Sequence, residues 1–215
     1  MATTGSVDQT PVSASLAEAE RFLAGLDDDW ARHIAAIGPC RYQPKPTREP
    51  YEALVRAIAY QQLSVRAGDT MVARLLARWP DSAFPTPEQL LASTTEELRA
   101  CGFSGSKVTA MQGIAAATLD GLVPSLVEAA TLADDALIAR LTTLRGVGRW
   151  TVEMFLMYSL VRMDILPVDD LGVREGYRRL KGLAQAPAPR QLRAIGEDWQ
   201  PWRTVASWYL WQVPR

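Results

Sequence analysis

Apolar residues recur along this chain at the i, i+3, i+4 spacing of an amphipathic helix, and no stretch shows the strict alternation of a half-buried strand. Leu16, Ala19, Phe22, Leu23 and Leu26 keep that spacing, as do Tyr51, Leu54, Val55, Ile58 and Ala59, and again Met71, Val72, Leu75 and Leu76. The same reading predicts helices over 28–37, 107–119, 137–143, 150–161, 171–180, 189–198 and 201–212. Trp79-Pro80 and Asp120-Gly121 are stops, and Thr86-Pro87, Thr94 and Asp134 are starts. The fold class is therefore all-α.

Breakers divide this helical run. The stretch from Arg41 to Pro50 carries prolines at 44, 46 and 50 and reads as a linker, and 164–170 is a second connection. They predict a central bundle over 48–164 and a second lobe made of 15–47 with 165–215. A groove between two helical lobes is a natural ligand site. Met1 to Ala14 is small and polar, without the basic start and apolar core of a signal peptide, and is expected to be a disordered tail.

Composition removes several classes of function. No apolar run reaches the roughly 20 residues of a membrane helix. The chain has two cysteines, Cys40 and Cys101, and one histidine, His33. That is too few for a structural zinc site or a four-cysteine iron–sulfur cluster. It also offers no disulfide framework, so a reducing compartment is expected: cytoplasm, beside the nucleoid, in a bacterium, or the nucleus in a eukaryote. His33 lies in a helical pattern and is expected to be a satisfied or surface histidine. The net charge is −1, so any nucleic-acid contact must come from a local patch or from backbone amides.

Two segments carry chemistry. The first is Leu144-Arg145-Gly146-Val147-Gly148-Arg149-Trp150-Thr151, set between two predicted helices. Two glycines around one apolar residue allow a tight hairpin, and the open amides of the second helix would hold a phosphate without any excess of lysine. An ordinary helix–turn–helix corner reads equally well from the glycines alone. The second segment is Leu166-Pro167-Val168-Asp169-Asp170-Leu171-Gly172-Val173-Arg174. An aspartate there caps the following helix, and the helix start favours its charged form, which suits stabilising a cation or activating water. Both readings of the aspartates can hold together.

Gly146-Val147-Gly148 followed by Pro167-Val168-Asp169-Asp170 resembles the helix-hairpin-helix, Gly/Pro-Asp superfamily of DNA glycosylases. Ala57-Ile58-Ala59-Tyr60-Gln61-Gln62-Leu63-Ser64-Val65, Gly105-Ser106-Lys107 and Trp199-Gln200-Pro201-Trp202-Arg203 are similar to motifs of its DNA-3-methyladenine glycosylase II (AlkA-like) branch. The resemblance spans 15–215. It implies two helical lobes with a DNA-binding cleft between them and a helix-hairpin-helix over 134–161. The larger relatives carry an N-terminal sheet domain, which is expected to be absent here.

Carried over position by position, the resemblance makes Asp170 the catalytic carboxylate and leaves Asp169 to capping or structure. Gly146, Gly148 and Trp150 would hold a phosphate through their amides. Gln62, Ser64, Arg149 and Thr151 would also face DNA, with Gln62 wedged into the gap left by the flipped base. The carbonyls of Thr142, Leu144 and Val147 would take a monovalent cation; no other cofactor is implied. Trp211, Trp150 and Trp208 are base-pocket candidates, because a cationic base is drawn to aromatic faces, and Met154 and Leu171 join them at positions where some relatives place tyrosines. Trp199 and Trp202 are expected to pack in the core or at the lobe interface, Arg203 to tie the last helix down, and Lys107 and Arg174 to contact DNA or sit on solvated helix faces.

Bifunctional members carry a lysine where this chain has Trp150, and an indole forms no Schiff base. The resemblance thus implies a monomeric, monofunctional glycosylase acting on double-stranded DNA with alkylated bases such as 3-methyladenine and 7-methylguanine. A non-catalytic hairpin DNA-binding module, or a glycosylase for oxidised or mismatched bases, are the alternatives.

Overall fold

The computed structural model describes residues 10–214, with side chains from Ser15 onward. All regular structure among them is helical, and no helix is long and apolar enough to cross a membrane. The chain divides into two compact units, one from Pro44 to Val161 and the other joining the chain before it to the chain from Arg162 onward. Hydrogen bonds account for these divisions, which come a few residues before the breakers' expectation. The Lys45 amide donates to the Tyr158 carbonyl (2.6 Å), tying the linker into the central unit. The carbonyls of Arg162 and Met163 accept from the Thr204 hydroxyl and amide (2.7 and 3.0 Å), tying that segment into the other.

The N-terminal pair is α1 (Thr10–Ala24) and α2 (Asp28–Ile37). Helix α1 begins inside the stretch expected to be a disordered tail, with Pro11 in its first turn, where proline is tolerated. The rest of that stretch lies outside the described residues. Asp27 caps α2 by accepting from the amides of Asp29 and Trp30. On α2, Trp30 is buried edge-on against Trp199, with ring centroids 5.6 Å apart. His33 is buried and satisfied, its Nε2 2.8 Å from the Tyr209 carbonyl.

The central unit is built on α3 (Pro50–Tyr60), whose residues are buried on nearly every side. Helices α4 (Val65–Leu76), α5 (Pro87–Ala92), α6 (Thr95–Ala100), α7 (Gly105–Leu119), α8 (Leu126–Thr131), α9 (Asp134–Leu141) and α10 (Arg149–Tyr158) follow. Leu54, Ile58, Met111, Ile114, Leu137 and Leu156 are fully buried in its core. Helices α5 and α6 start with reciprocal capping boxes, Thr86 with Gln89 and Thr94 with Glu97, which replace length as the source of their order.

The remaining elements belong to the first unit: α11 (Leu171–Leu180), α12 (Pro189–Ile195), a 3-10 turn (Gly196–Trp199) and α13 (Arg203–Trp211). The predicted helix over 189–198 tightens at Gly196. Helices α11 and α13 cross where α11 has no side chain: a Cβ on Gly176 would sit 2.1 Å from the Leu210 carbonyl oxygen. Backbone contact of that kind is available only to glycine.

Candidate active site and nucleic-acid interface

The segment leading to Asp170 is fixed before the carboxylate is reached. Ile165 to Val168 are buried. Arg203 grips Asp164 through Nε and Nη2 (2.6 and 2.9 Å), and the Thr204 hydroxyl accepts from the Ile165 amide (3.1 Å). These ties come from the start of α13, as the structural role expected for Arg203 requires. The other end of α13 supplies Trp211, whose Nε1 donates to Asp170 Oδ1 (3.0 Å). One helix therefore sets both the path into the carboxylate and the carboxylate's orientation.

Asp170 is also the N-cap of α11, its Oδ1 accepting from the Val173 amide (2.9 Å). Of the two duties expected of Asp169, capping or structure, the first falls to Asp170 instead; Asp169 is exposed, and Asp170 is half-buried. Trp211 can lie this close because position 172 is glycine. A Cβ there would stand 2.9 Å from the indole Cδ1 and 3.0 Å from Asp170 Oδ1. Leu171 beside them is an apolar side chain that is 65% exposed. Trp208 is half-buried and packs edge-on to Tyr209 (5.0 Å). Trp199 is core, as expected, while Trp202 is only half-buried.

The central unit holds the hairpin, α9 and α10 joined by 142–148. Gly146 takes φ +82°, and a Cβ there would sit 2.7 Å from the Ala110 Cβ on α7, so the glycine serves both the turn and a close approach. Val147 is buried as the hairpin's anchor. Gly148 is the N-cap of α10 and, having no side chain, offers no side-chain cap to the first turn. Among the described residues no acceptor takes the amides of Gly146 or Gly148. Trp150 and Met154 are half-buried on α10.

Three residues expected to face DNA also make contacts within the chain, Arg149 and Ser64 remaining exposed and Thr151 buried. Thr151 is buried at 1% exposure, its amide donating to the Gly148 carbonyl and its hydroxyl accepting from Gln61, so it supports the hairpin from inside. Arg149 donates through Nε to the buried Glu153 carboxylate (2.9 Å), which offsets the positive charge expected of it. Ser64 caps α4, its hydroxyl accepting from the Ala67 amide (3.3 Å). Gln62 is exposed at φ +58°. Lys107 and Arg174 are half-buried and bonded within the chain rather than lying on solvated helix faces. Lys107 Nζ donates to the carbonyls of Ala59 and Gln61, and Arg174 Nε to that of Pro187.

Sequence reasoning passed over Gln61, Glu153, Gly172 and Gly176. The glycines are four apart on one helix face, and Arg149 and Glu153 have ion-pair spacing, so those signals were present. Gln61 stood inside a recognised motif, but nothing there signalled its partners, which lie 85 and 90 residues away.

A hairpin with open amides, followed one short connection later by a carboxylate at a helix start, defines a helix-hairpin-helix fold of the Gly/Pro-Asp kind. The chain belongs to the HhH-GPD superfamily of base excision DNA repair proteins, whose family model matches residues 55–201. That match holds Gln62, the hairpin and Asp170 but stops before Trp211. The chain is similar to DNA-3-methyladenine glycosylase 1 of Schizosaccharomyces pombe, 41% identical over 97% of this chain and 92% of that one. It is also similar to DNA-3-methyladenine glycosylase 2 of Escherichia coli, 29% identical over 76% of this chain and 57% of that one. Its fold matches the solved structure of the Schizosaccharomyces pombe 3-methyladenine DNA glycosylase Mag1 in complex with abasic DNA. The TM-score is 0.86 and the identity 43%, covering 91% and 95% of the two chains.

Proposed function

We propose that this protein is a DNA glycosylase that hydrolyses the N-glycosidic bond of alkylated bases, such as 3-methyladenine and 7-methylguanine, in base excision repair. The observation that carries the reading is Asp170: a carboxylate at a helix start, oriented by the Val173 amide and the Trp211 indole. The similarity to DNA-3-methyladenine glycosylases over nearly the whole chain supports the substrate class.

The chemistry asks little of the protein beyond placement and charge. A stacked base must be extruded, which costs a few kcal/mol and least for a damaged one. An N-alkylated purine is cationic and leaves as a neutral base when the C1′–N bond breaks. The sugar left behind is oxocarbenium-like, and the charge of Asp170 stabilises it. Water adds at C1′ and loses its proton, completing the hydrolysis. The face of Trp211 attracts the cationic base by roughly 0.5–2 kcal/mol, and exposed Leu171 borders the same carboxylate. The amides at Gly146 and Gly148 anchor a DNA phosphate.

Trp150 occupies the position of the lyase lysine, so base release proceeds without strand cleavage. The carbonyls of Thr142, Leu144 and Val147 suit a monovalent cation: they are neutral oxygen donors, and the Leu144 oxygen, which accepts from the Val147 amide, keeps a second lone pair. Such a cation would add positive charge beside the phosphate anchor.

Release of free base from methylated duplex DNA, assayed together with borohydride trapping, tests the reading. Base release with no trapped protein–DNA adduct is the expected result. A trapped adduct would overturn monofunctionality, and DNA binding without base release would reduce the protein to a binding module.

A further inference from the structure

The turn from α3 to α4 is held from three sides, although nothing in the chemistry above uses the residues that hold it. Gln61 donates through Nε2 to the Gly146 carbonyl (2.9 Å) and to the Thr151 hydroxyl (3.0 Å), reaching the hairpin at its glycine turn and at the first turn of α10. Lys107 Nζ donates to the carbonyls of Ala59 (2.9 Å) and Gln61 (3.0 Å), closing the open end of α3. Tyr60 packs against Gly68 of α4, where a Cβ would fall 2.1 Å from the ring, and its hydroxyl donates to Asp69 (2.7 Å).

At the centre of these ties stands Gln62, a non-glycine residue at φ +58°. That conformation costs about 1 kcal/mol or more and persists only where the surroundings over-determine it. Its side chain is exposed, with Leu63 at 44% and Val65 at 71% exposure beside it. The backbone is pinned while the side chains project outward, as suits a rigid turn that enters another molecule.

We propose that Gln61 is a positioning residue. Its amide couples the turn carrying Gln62 to the hairpin, so that the phosphate anchor and the residue entering the base stack move as one body. The inference rests on the glycosylase reading for what Gln62 enters. Insertion into a gap one base deep tolerates displacements of only about 0.5 Å. Gln61 is suited to the task because one NH2 group serves a carbonyl and a hydroxyl at once; a methionine of equal length serves neither.

The test is the preference for a duplex containing an abasic-site analogue over an intact duplex, measured by fluorescence anisotropy. The proteins compared are the wild type, Gln61→Met, Gln62→Ala and the double variant. Gln61→Met is expected to lower the preference roughly 3- to 10-fold, the worth of one or two hydrogen bonds, with affinity for intact duplex within about twofold. The double variant should be no worse than Gln62→Ala alone. Thr151→Val, which removes one acceptor and leaves Gln61 in place, should lose preference in the same direction, and guards against a Gln61→Met protein that fails to fold. No preference in the wild type, an unchanged preference in Gln61→Met, or losses that multiply in the double variant would each overturn the proposal. Base release by the wild type is scored separately. Release with multiplying losses removes the clamp alone, whereas the expected binding pattern without release removes the glycosylase reading alone.

Discussion

Asp170 carries two duties on one oxygen, capping α11 and receiving the Trp211 indole, and the two separate under substitution. Asparagine caps nearly as well as aspartate, whereas alanine costs about 1 kcal/mol at such a position. Trp211→Phe keeps the aromatic face and removes only the N–H that orients the carboxylate. Its single-turnover rate of base release should fall roughly tenfold, the equivalent of about 1.4 kcal/mol, with thermal stability nearly unchanged; an undiminished rate would remove Trp211 from the positioning of Asp170. At this scale the sequence was informative about residue type and poor about partners. An Asp-Asp pair before an amphipathic helix announces a cap, but cap propensity does not distinguish two adjacent aspartates, and the structure chose the one expected to do chemistry. Gln61 and Thr151 illustrate the other limit. Each is an ordinary polar residue until the fold brings them within 3.0 Å.

Helices of seven residues or more were legible from their apolar spacing, because burying one face of a helix imposes that spacing whatever the tertiary fold. Those of six residues, α5, α6 and α8, were not read as helices, although the capping residues of α5 and α6 marked their starts. The hairpin was legible from Gly146 and Gly148, but the reason for the first glycine lies in α7. Gly146→Ala places a Cβ in a left-handed conformation and 2.7 Å from the Ala110 Cβ. Strain and overpacking together should cost about 2–4 kcal/mol, visible as a lowered urea midpoint, and should weaken DNA binding at the same time. An unchanged midpoint would mean that the hairpin and α7 are not in contact as described. The crossing of α11 and α13 depends on Gly176 in the same manner, and the four-residue spacing to Gly172 was its signature in the sequence.

At the scale of the whole molecule a net charge of −1 leaves DNA recognition to local features, and the pairing of Arg149 with Glu153 strengthens that demand on the amides. Stability follows charges elsewhere. Lys181 at the end of α11 donates to Asp27 (2.6 Å) and Asp29 (3.0 Å) at the start of α2. Burial alone would raise the Asp27 carboxyl, but the Lys181 ammonium and the cap amides outweigh it and hold it below its ordinary value of 3.8. Lys181 is likewise raised above 10.5 by the two aspartates in spite of burial. The aspartate's contribution is present above pH 3.8 and is lost as pH falls through its folded value. The lysine's is present below pH 10.5 and is lost as pH rises through its own. Because Asp27 is 43% exposed, solvent screening limits the pair to about 1 kcal/mol. Lys181→Met should lower the Tm by a few degrees near pH 7 and lose part of the wild type's acid and alkaline slopes; parallel pH profiles would contradict this. The central claim, that Asp170 drives the release of alkylated bases, is tested most directly by base release from methylated duplex DNA, wild type against Asp170→Asn. Wild-type release, a loss of at least about 100-fold in the variant, and retained folding and DNA binding are predicted; a variant that releases base as fast as the wild type would contradict the account.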